Sequence, residues 1–266
     1  NKKSVALDLK SDAGRAAFLK LGQTADVVLE SYRPGVLKRL GIDYETVSRL
    51  NPKIVYCAIT GYGKRGPLVD QADHDIGYVS LAGITSMSGE PGGRPAIPGI
   101  LMADMNAALM AGMSILMAVR HAEQTGTGQE IDISLYNTAL TLMPGAASLY
   151  FGSGFVAERG NNWLTGAYAY NIYETRDGRY VSVGCLEKKF WSNLCRALDR
   201  ADLIDALDDE SQHERVKDEL TEIFRTKTMQ EWTACLEGKD TCVTPVLNFD
   251  EALAAEQTRA NAMVLT

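Results

Sequence analysis

Paired cysteines, an excess of basic charge, internal repeats and charge-free membrane-length runs are what this 266-residue sequence lacks, and each absence removes a class of protein. The five cysteines (Cys57, Cys185, Cys195, Cys235, Cys242) are odd in number and hold no C-x-x-C pair. They read as reduced, buried thiols in a reducing compartment rather than as a disulfide framework or a zinc site. With 27 Lys and Arg against 34 Asp and Glu, the formal net charge is -7. That removes the concentrated basic footprint that nucleic acid or an anionic membrane surface requires, while small anionic ligands held by local Arg clusters stay open. The most apolar run, Gly99 to Val119, nears the length of a membrane span but carries Asp104 and Asn106 close to one end. Charge there is costly in lipid, so the run is read as a buried core helix, and no membrane partner is expected. No signal-peptide pattern is visible. Asn1 to Ser4 run straight into a strand pattern, so the start of the domain is expected upstream.

What is present is ordinary globular composition, 45% hydrophobic and 23% charged, with enough length for one large core or two smaller ones. Val5 to Leu9 reads as a short strand, and Ser11-Asp12 caps a helix with Ala16, Ala17, Leu19 and Leu21 on its buried face. Ala25 to Glu30 and Ile54 to Ile59 are continuous apolar strands, separated by helices over Val36 to Leu40 and Tyr44 to Leu50 with Gly41 between them. Strands without alternation, separated by helices, predict an α/β fold with a doubly wound parallel sheet in the large domain. Gly61-Tyr62-Gly63-Lys64-Arg65-Gly66 matches the dinucleotide fingerprint formally. Pro67 follows and no helical period starts there, so the run is read as a turn closing the strand.

Tyr78 to Ile84 is a short helix or an extended segment, and Ser88 to Pro95 is a loop that either covers a site or merely connects. A long apolar helix opens near Asp104 and runs to about Glu123, followed by a strand over Glu130 to Ser134 and a helix over Leu135 to Tyr150. The small residues Ala146, Ala147, Gly152 and Gly154 suggest close packing there. Past Gly160 the texture changes: Tyr168 to Thr175 and Arg179 to Gly184 are β-rich runs joined at Asp177-Gly178, a hairpin signal. Helices over Lys188 to Leu198, His213 to Arg225 and Met229 to Leu236, then a strand over Val243 to Leu247, complete a smaller α+β domain. The expected organisation is a large domain over 1–160, a small one over 161–248 and a return segment over 249–266.

The chemistry is expected between Asp73 and Asp104, where Asp73, His74, Asp75 and Asp104 sit among Gly, Ala, Ser, Ile and Leu, a setting that shifts pKa values. Arg33 and Arg39 flank Pro34-Gly35 at the carboxyl end of a predicted parallel strand. They are placed to grip phosphates, or else are solvent-facing helix charges.

Four runs, Lys3 to Lys10, Ala25 to Val36, Arg39 to Tyr44 and Ile59 to Gly63, together with Gly126 to Gln129 and Cys242 to Val246, resemble the family III CoA-transferases and their relatives, the α-methylacyl-CoA racemases. The resemblance covers nearly the whole chain and is nearer to the racemase branch, with His-Asp at 74 and 75, Asp at 104 and a Glu entering the small-domain helix at 187. The transferases carry Tyr-Asp at the first pair and a Gly-rich run where this chain has Gly160 to Leu164. Two departures from the racemases are Ile100, where they place an Asn, and Met105-Asn106 after the Asp.

The resemblance implies inversion of the α-carbon of 2-methyl-branched acyl-CoA thioesters, with His74, oriented by Glu187, on one face, Asp104 on the other and Asp75 positioning the pair. It places Arg33, Arg39 and Tyr78 on CoA, which is part of the substrate, with no metal or redox cofactor. It further implies an intertwined homodimer and a cytoplasmic location, or in a eukaryote a peroxisome or mitochondrion. Taken singly, His74 also reads as a core histidine, Asp104 as a helix N-terminal charge and Glu187 as an exposed helix start. The alternative activities are an acyl-CoA:carboxylate CoA-transferase with Asp104 as nucleophile, a non-catalytic acyl-CoA binder and a nicotinamide oxidoreductase.

Overall fold

The computed structural model describes residues 2–161 and 165–264, the side chains of Asp208 and Glu210 excepted. Of the run Gly160 to Leu164, residues 162–164 lie outside the described residues. The chain divides into two compact units, one of residues 1–89 and 94–157, the other of residues 90–93 and 158–266.

The first unit is built on a parallel sheet of β1 (Val27–Glu30), β2 (Val55–Thr60) and β3 (Gln129–Ser134), in that order across the sheet. Cys57 of β2 registers with Leu29 on one side and Ile131 on the other. Around it stand α1 (Asp12–Gly22), α2 (Val36–Leu40), α3 (Tyr44–Leu50), α4 (Asp75–Leu81), α5 (Ile84–Met87), α6 (Met102–Thr125), α7 (Leu135–Leu140) and α8 (Pro144–Ser153). The central strand reads as an unbroken apolar run because it is buried on both faces. Val55 and Cys57 pack with Ile131, Ile133 and the alanines of α6. Ile54 and Tyr56 pack with Leu37, Val47, Phe18 and Leu19 from the helices before the strand and with Ile42 between α2 and α3. The doubly wound α/β expectation is thus met.

Five alanines of α6 (Ala103, Ala107, Ala111, Ala118, Ala122) are buried and recur at helical spacing, giving one narrow face that seats on the sheet. The opposite face is open in the chain: Leu109, Met113, Leu116 and Met117 are each at least 60% exposed. The buried core helix expected from the sequence is therefore a helix buried along one stripe, because its large apolar residues and its small ones lie on different faces. By length and composition alone it would also suffice to cross a membrane.

Other expectations are corrected locally. Val5 to Leu9 forms no strand among the described residues, and Val5 is exposed, since no ladder partner lies beside it. On α1, capped by Ser11 accepting from the Gly14 amide, the inward residues are Gly14, Phe18, Leu19 and Gly22, while Ala16 and Leu21 face out. The single helix expected over Leu135 to Tyr150 is two. Pro144 disfavours helical geometry at Met143 and starts α8 as its first residue. No residue of α8 is fully buried; of its small residues Ala146 and Ala147 are half-buried, while Gly152 and Gly154 are exposed. Of the cysteines, all free, Cys57, Cys185 and Cys195 are buried, but Cys242 is exposed.

The second unit holds an antiparallel sheet of β4 (Tyr170–Glu174), β5 (Tyr180–Gly184) and β6 (Val243–Pro245). The β4–β5 hairpin closes at Asp177-Gly178, where Gly178 takes φ 69° that a side chain would resist. Helices α9 (Lys188–Ala197), α10 (His213–Phe224) and α11 (Met229–Leu236) bury Trp191, Phe224 and Trp232 against it. Each indole finds a backbone acceptor, Leu203 O for Trp191 and Phe224 O for Trp232, both at 2.8 Å. Helices α12 (Phe249–Ala254) and α13 (Glu256–Ala260) follow, and residues 249–266 belong to this unit, tied by Arg179 to Glu251 through bonds of 3.0 and 2.6 Å.

Candidate active site

Two helix N-termini in the first unit meet through one carboxylate. Asp75, the first residue of α4 and only 7% exposed, accepts from the backbone amides of Ala103 at 2.7 Å and Asp104 at 3.1 Å. The N-cap of α6, Leu101, offers no side-chain oxygen, so Asp75 satisfies those amides from another helix, and the positive helix ends lie together. Asp104 in the first turn of α6 is thereby held beside Asp75. Burial, then the Asp75 charge, pushes the Asp104 carboxyl above the usual carboxylate range, and His74 opposes both.

His74 is the N-cap of α4 and is exposed. Among the described residues neither its ring nor the Asp104 carboxylate has a hydrogen-bond partner. The backbone amide of His74 is fixed by the preceding carboxylate: it donates to Asp73 Oδ1 at 2.8 Å, while Asp73 Oδ2 accepts from the Tyr62 hydroxyl at 2.7 Å. Tyr78 is buried, packs edge-on to Tyr62 at 5.1 Å and donates its hydroxyl to the Asp73 carbonyl at 3.1 Å. Burial, then the charges of Asp73 and Asp104, raises the Tyr78 pKa, so it stays a neutral donor.

A cavity of 440 Å³ opens here, lined among others by Arg33, Ile59, Gly61, Asp73, Tyr78, Asp104 and Leu135. Arg33 also lines a neighbouring cavity of 390 Å³ that holds Glu30, Lys38, Tyr56 and Lys64. Both arginines follow β1 and are exposed, with no ion-pair partner among the described residues. The guanidinium of Arg39 folds back to Gly35, lying 3.5 Å from where a Cβ would stand. Asn106 is spent elsewhere, donating to Thr138 O and Thr141 Oγ1 at 2.6 and 3.0 Å.

The first unit therefore gathers His74, Asp75, Tyr78 and Asp104. Glu187 belongs to the second unit, where it is the exposed N-cap of α9 and makes no capping bond. Sequence reasoning counted Asp73 among the ionisable groups of the stretch but assigned no role to Tyr62, and their bond spans a loop that no periodicity reports. Gly61 to Gly66 forms bends with no helix starting until Asp75, which removes the geometry a dinucleotide pyrophosphate needs. Among the described residues no three His, Cys, Asp or Glu side chains are placed to hold a metal ion.

The chain is 33% identical over 268 residues to the α-methylacyl-CoA racemase of Homo sapiens, covering 100% of this chain and 70% of that one. It is 30% identical over 271 residues to the succinyl-CoA:glutarate CoA-transferase of Homo sapiens, covering 100% of this chain and 62% of the relative. Among solved structures, a CAIB/BAIF family protein from Brucella suis aligns with a TM-score of 0.84 at 28% identity, over 99% of this chain and 71% of that one. The model of CoA-transferase family III matches residues 1–266, and the chain belongs to that family.

Proposed function

We propose that this protein is a racemase or epimerase that inverts the α-carbon of 2-methyl-branched acyl-CoA thioesters by proton transfer between two bases. The observation that carries the reading is the pair of unpartnered groups, the His74 imidazole and the Asp104 carboxylate, within charge reach of each other and linked through Asp75. Asp104 takes the α-proton from one face, leaving an enolate, and protonated His74 returns a proton to the other; the reverse direction exchanges their roles. A carboxyl whose pKa is raised by burial and Asp75 suits a base that must also act as an acid. Positive helix ends beside the site favour the enolate oxygen. CoA enters only as part of the substrate.

The test is incubation of the protein with a chiral 2-methylacyl-CoA in deuterated water with carboxylates added. A racemase puts deuterium at the α-carbon, whereas thioester exchange without α-deuterium sinks the reading.

That second outcome belongs to an acyl-CoA:carboxylate CoA-transferase. It is favoured by the free Asp104 carboxylate, available as a nucleophile in the cavity, and by transferase relatives at nearly the same identity.

In either case Arg33 and Arg39 are assigned to the CoA phosphates. Changing both to Ala is expected to weaken CoA binding by roughly ten- to a hundredfold, since charge-assisted pairs are strong, and to reduce its salt dependence. Unchanged affinity by calorimetry removes the assignment. The reading also takes the protein as a homodimer, supported by the uncovered apolar residues of α6 and by Phe151 of α8, 85% exposed. A light-scattering mass of a single chain contradicts it.

A further inference from the structure

Three charged side chains line the 440 Å³ cavity: Arg33, Asp104 and Asp73. The first two have roles in the acyl-CoA reading, and Asp73 has none. Yet its carboxylate is held as firmly as any group in the site. Oδ2 takes the Tyr62 hydroxyl and Oδ1 the His74 amide. Space is kept for it on α4, since a Cβ at Gly77 would stand 2.0 Å from Oδ1 and 2.1 Å from Oδ2.

We propose that Asp73 is a specificity-determining residue of this cavity, turning away acyl chains that carry a second carboxylate and leaving the site to uncharged ones. This rests on the acyl-CoA reading above and names its substrate class. The fixed charge stays on: the Tyr62 hydroxyl, then the His74 amide, holds the Asp73 carboxyl below the usual carboxylate range against the opposing effect of burial. Tyr62 is itself pushed up to about 12 by burial and by Asp73, so it stays a donor. The groups facing Asp73 from the packed elements are thus two neutral phenols, Tyr62 and Tyr78, and His74, which follows it in the chain. Much of the remaining lining, Ile59, Ala72, Val69 and Leu135 among it, is apolar. An acyl chain there meets hydrocarbon and fixed negative charge. A neutral chain gains from the first and is indifferent to the second, whereas a carboxylate-ended chain is repelled by a partly exposed charge that salt can reach.

Butyryl-CoA and succinyl-CoA share CoA and a four-carbon chain and differ by one carboxylate, so their dissociation constants on the intact protein, measured by calorimetry, isolate the effect. The wild type is expected to favour butyryl-CoA by about tenfold, with the gap narrowing as salt rises. Asp73→Asn should close most of the gap by tightening succinyl-CoA rather than weakening butyryl-CoA. Tyr62→Phe, which keeps the charge, should preserve it. Equal wild-type affinities, a gap insensitive to salt, or an unchanged ratio in Asp73→Asn overturns the proposal. Because the readout is binding, it separates from the proposed activity: the expected ratio without α-deuterium exchange sinks the racemase reading alone, and no binding of either thioester sinks both.

Discussion

Asp104→Asn and His74→Ala each abolish racemisation of a chiral 2-methylacyl-CoA, yet each still exchanges the α-proton of one enantiomer in deuterated water. That is the expected result for two bases on opposite faces of one carbon. A single base would return its proton to either face, and its loss would silence both enantiomers together. With two, the surviving group keeps abstracting from its own side, and solvent deuterium returns to that side. The loss of inversion should be on the order of 10² to 10⁴, the usual range for a positioned acid or base. Mass spectrometry of recovered thioester, started from each enantiomer, reads the pattern. Asp104 is also the nucleophile of the transferase alternative, so its loss cannot decide between activities. His74 can. Full α-proton exchange from both enantiomers in His74→Ala would remove the imidazole from the chemistry and the racemase assignment with it.

The second large effect is expected at Asp75, where charge and shape separate cleanly. Asp75→Asn keeps an oxygen for the amides of Ala103 and Asp104 and removes the charge that helps raise the Asp104 pKa. The acid limb of the rate profile, where Asp104 must be ionised to act as base, should therefore move to lower pH. Stability changes with the same sign. A carboxyl raised in the folded state favours the fold below its unfolded pKa, and that advantage is lost as pH rises through the folded value. Near neutrality Asp104 is thus a cost that Asp75→Asn partly relieves. Asp75→Ala instead removes the acceptor and strands the buried Ala103 amide, a loss of roughly 1–3 kcal/mol by urea unfolding. Equal destabilisation by Asn and Ala would show that capping is not what Asp75 supplies.

How far the sequence foretold all this differs by the range of the interaction. Elements fixed by nearby residues were legible: α2 between Gly35 and Gly41, the Asp177-Gly178 hairpin, the apolar run of β2, and Ser11 at the start of α1. The site residues His74, Asp75 and Asp104 were named in advance, but the bond from the Asp104 amide to Asp75 spans 29 residues and leaves no period in the sequence. The Tyr62 to Asp73 bond was invisible for the same reason. Burial misled where hydrophobicity was taken for it. In α6 the small alanines go inward and the large Leu and Met go out, and no residue of α8 is fully buried. Pro144, which divides α7 from α8, was a local signal passed over.

The absent side chain at Gly77 constrains the order in which this loop can change over generations. Gly77→Ala made first drives a methyl into the Asp73 carboxylate, which must then leave both Tyr62 and the His74 amide. Made after Asp73 has become a smaller residue, the same change meets no carboxylate and adds helix propensity to α4. One path is steep and the other level, although both end at the same pair of residues. A lineage that keeps Asp73 is therefore confined to glycine four positions on, and a lineage that has lost it is released from that confinement without any new contact being made.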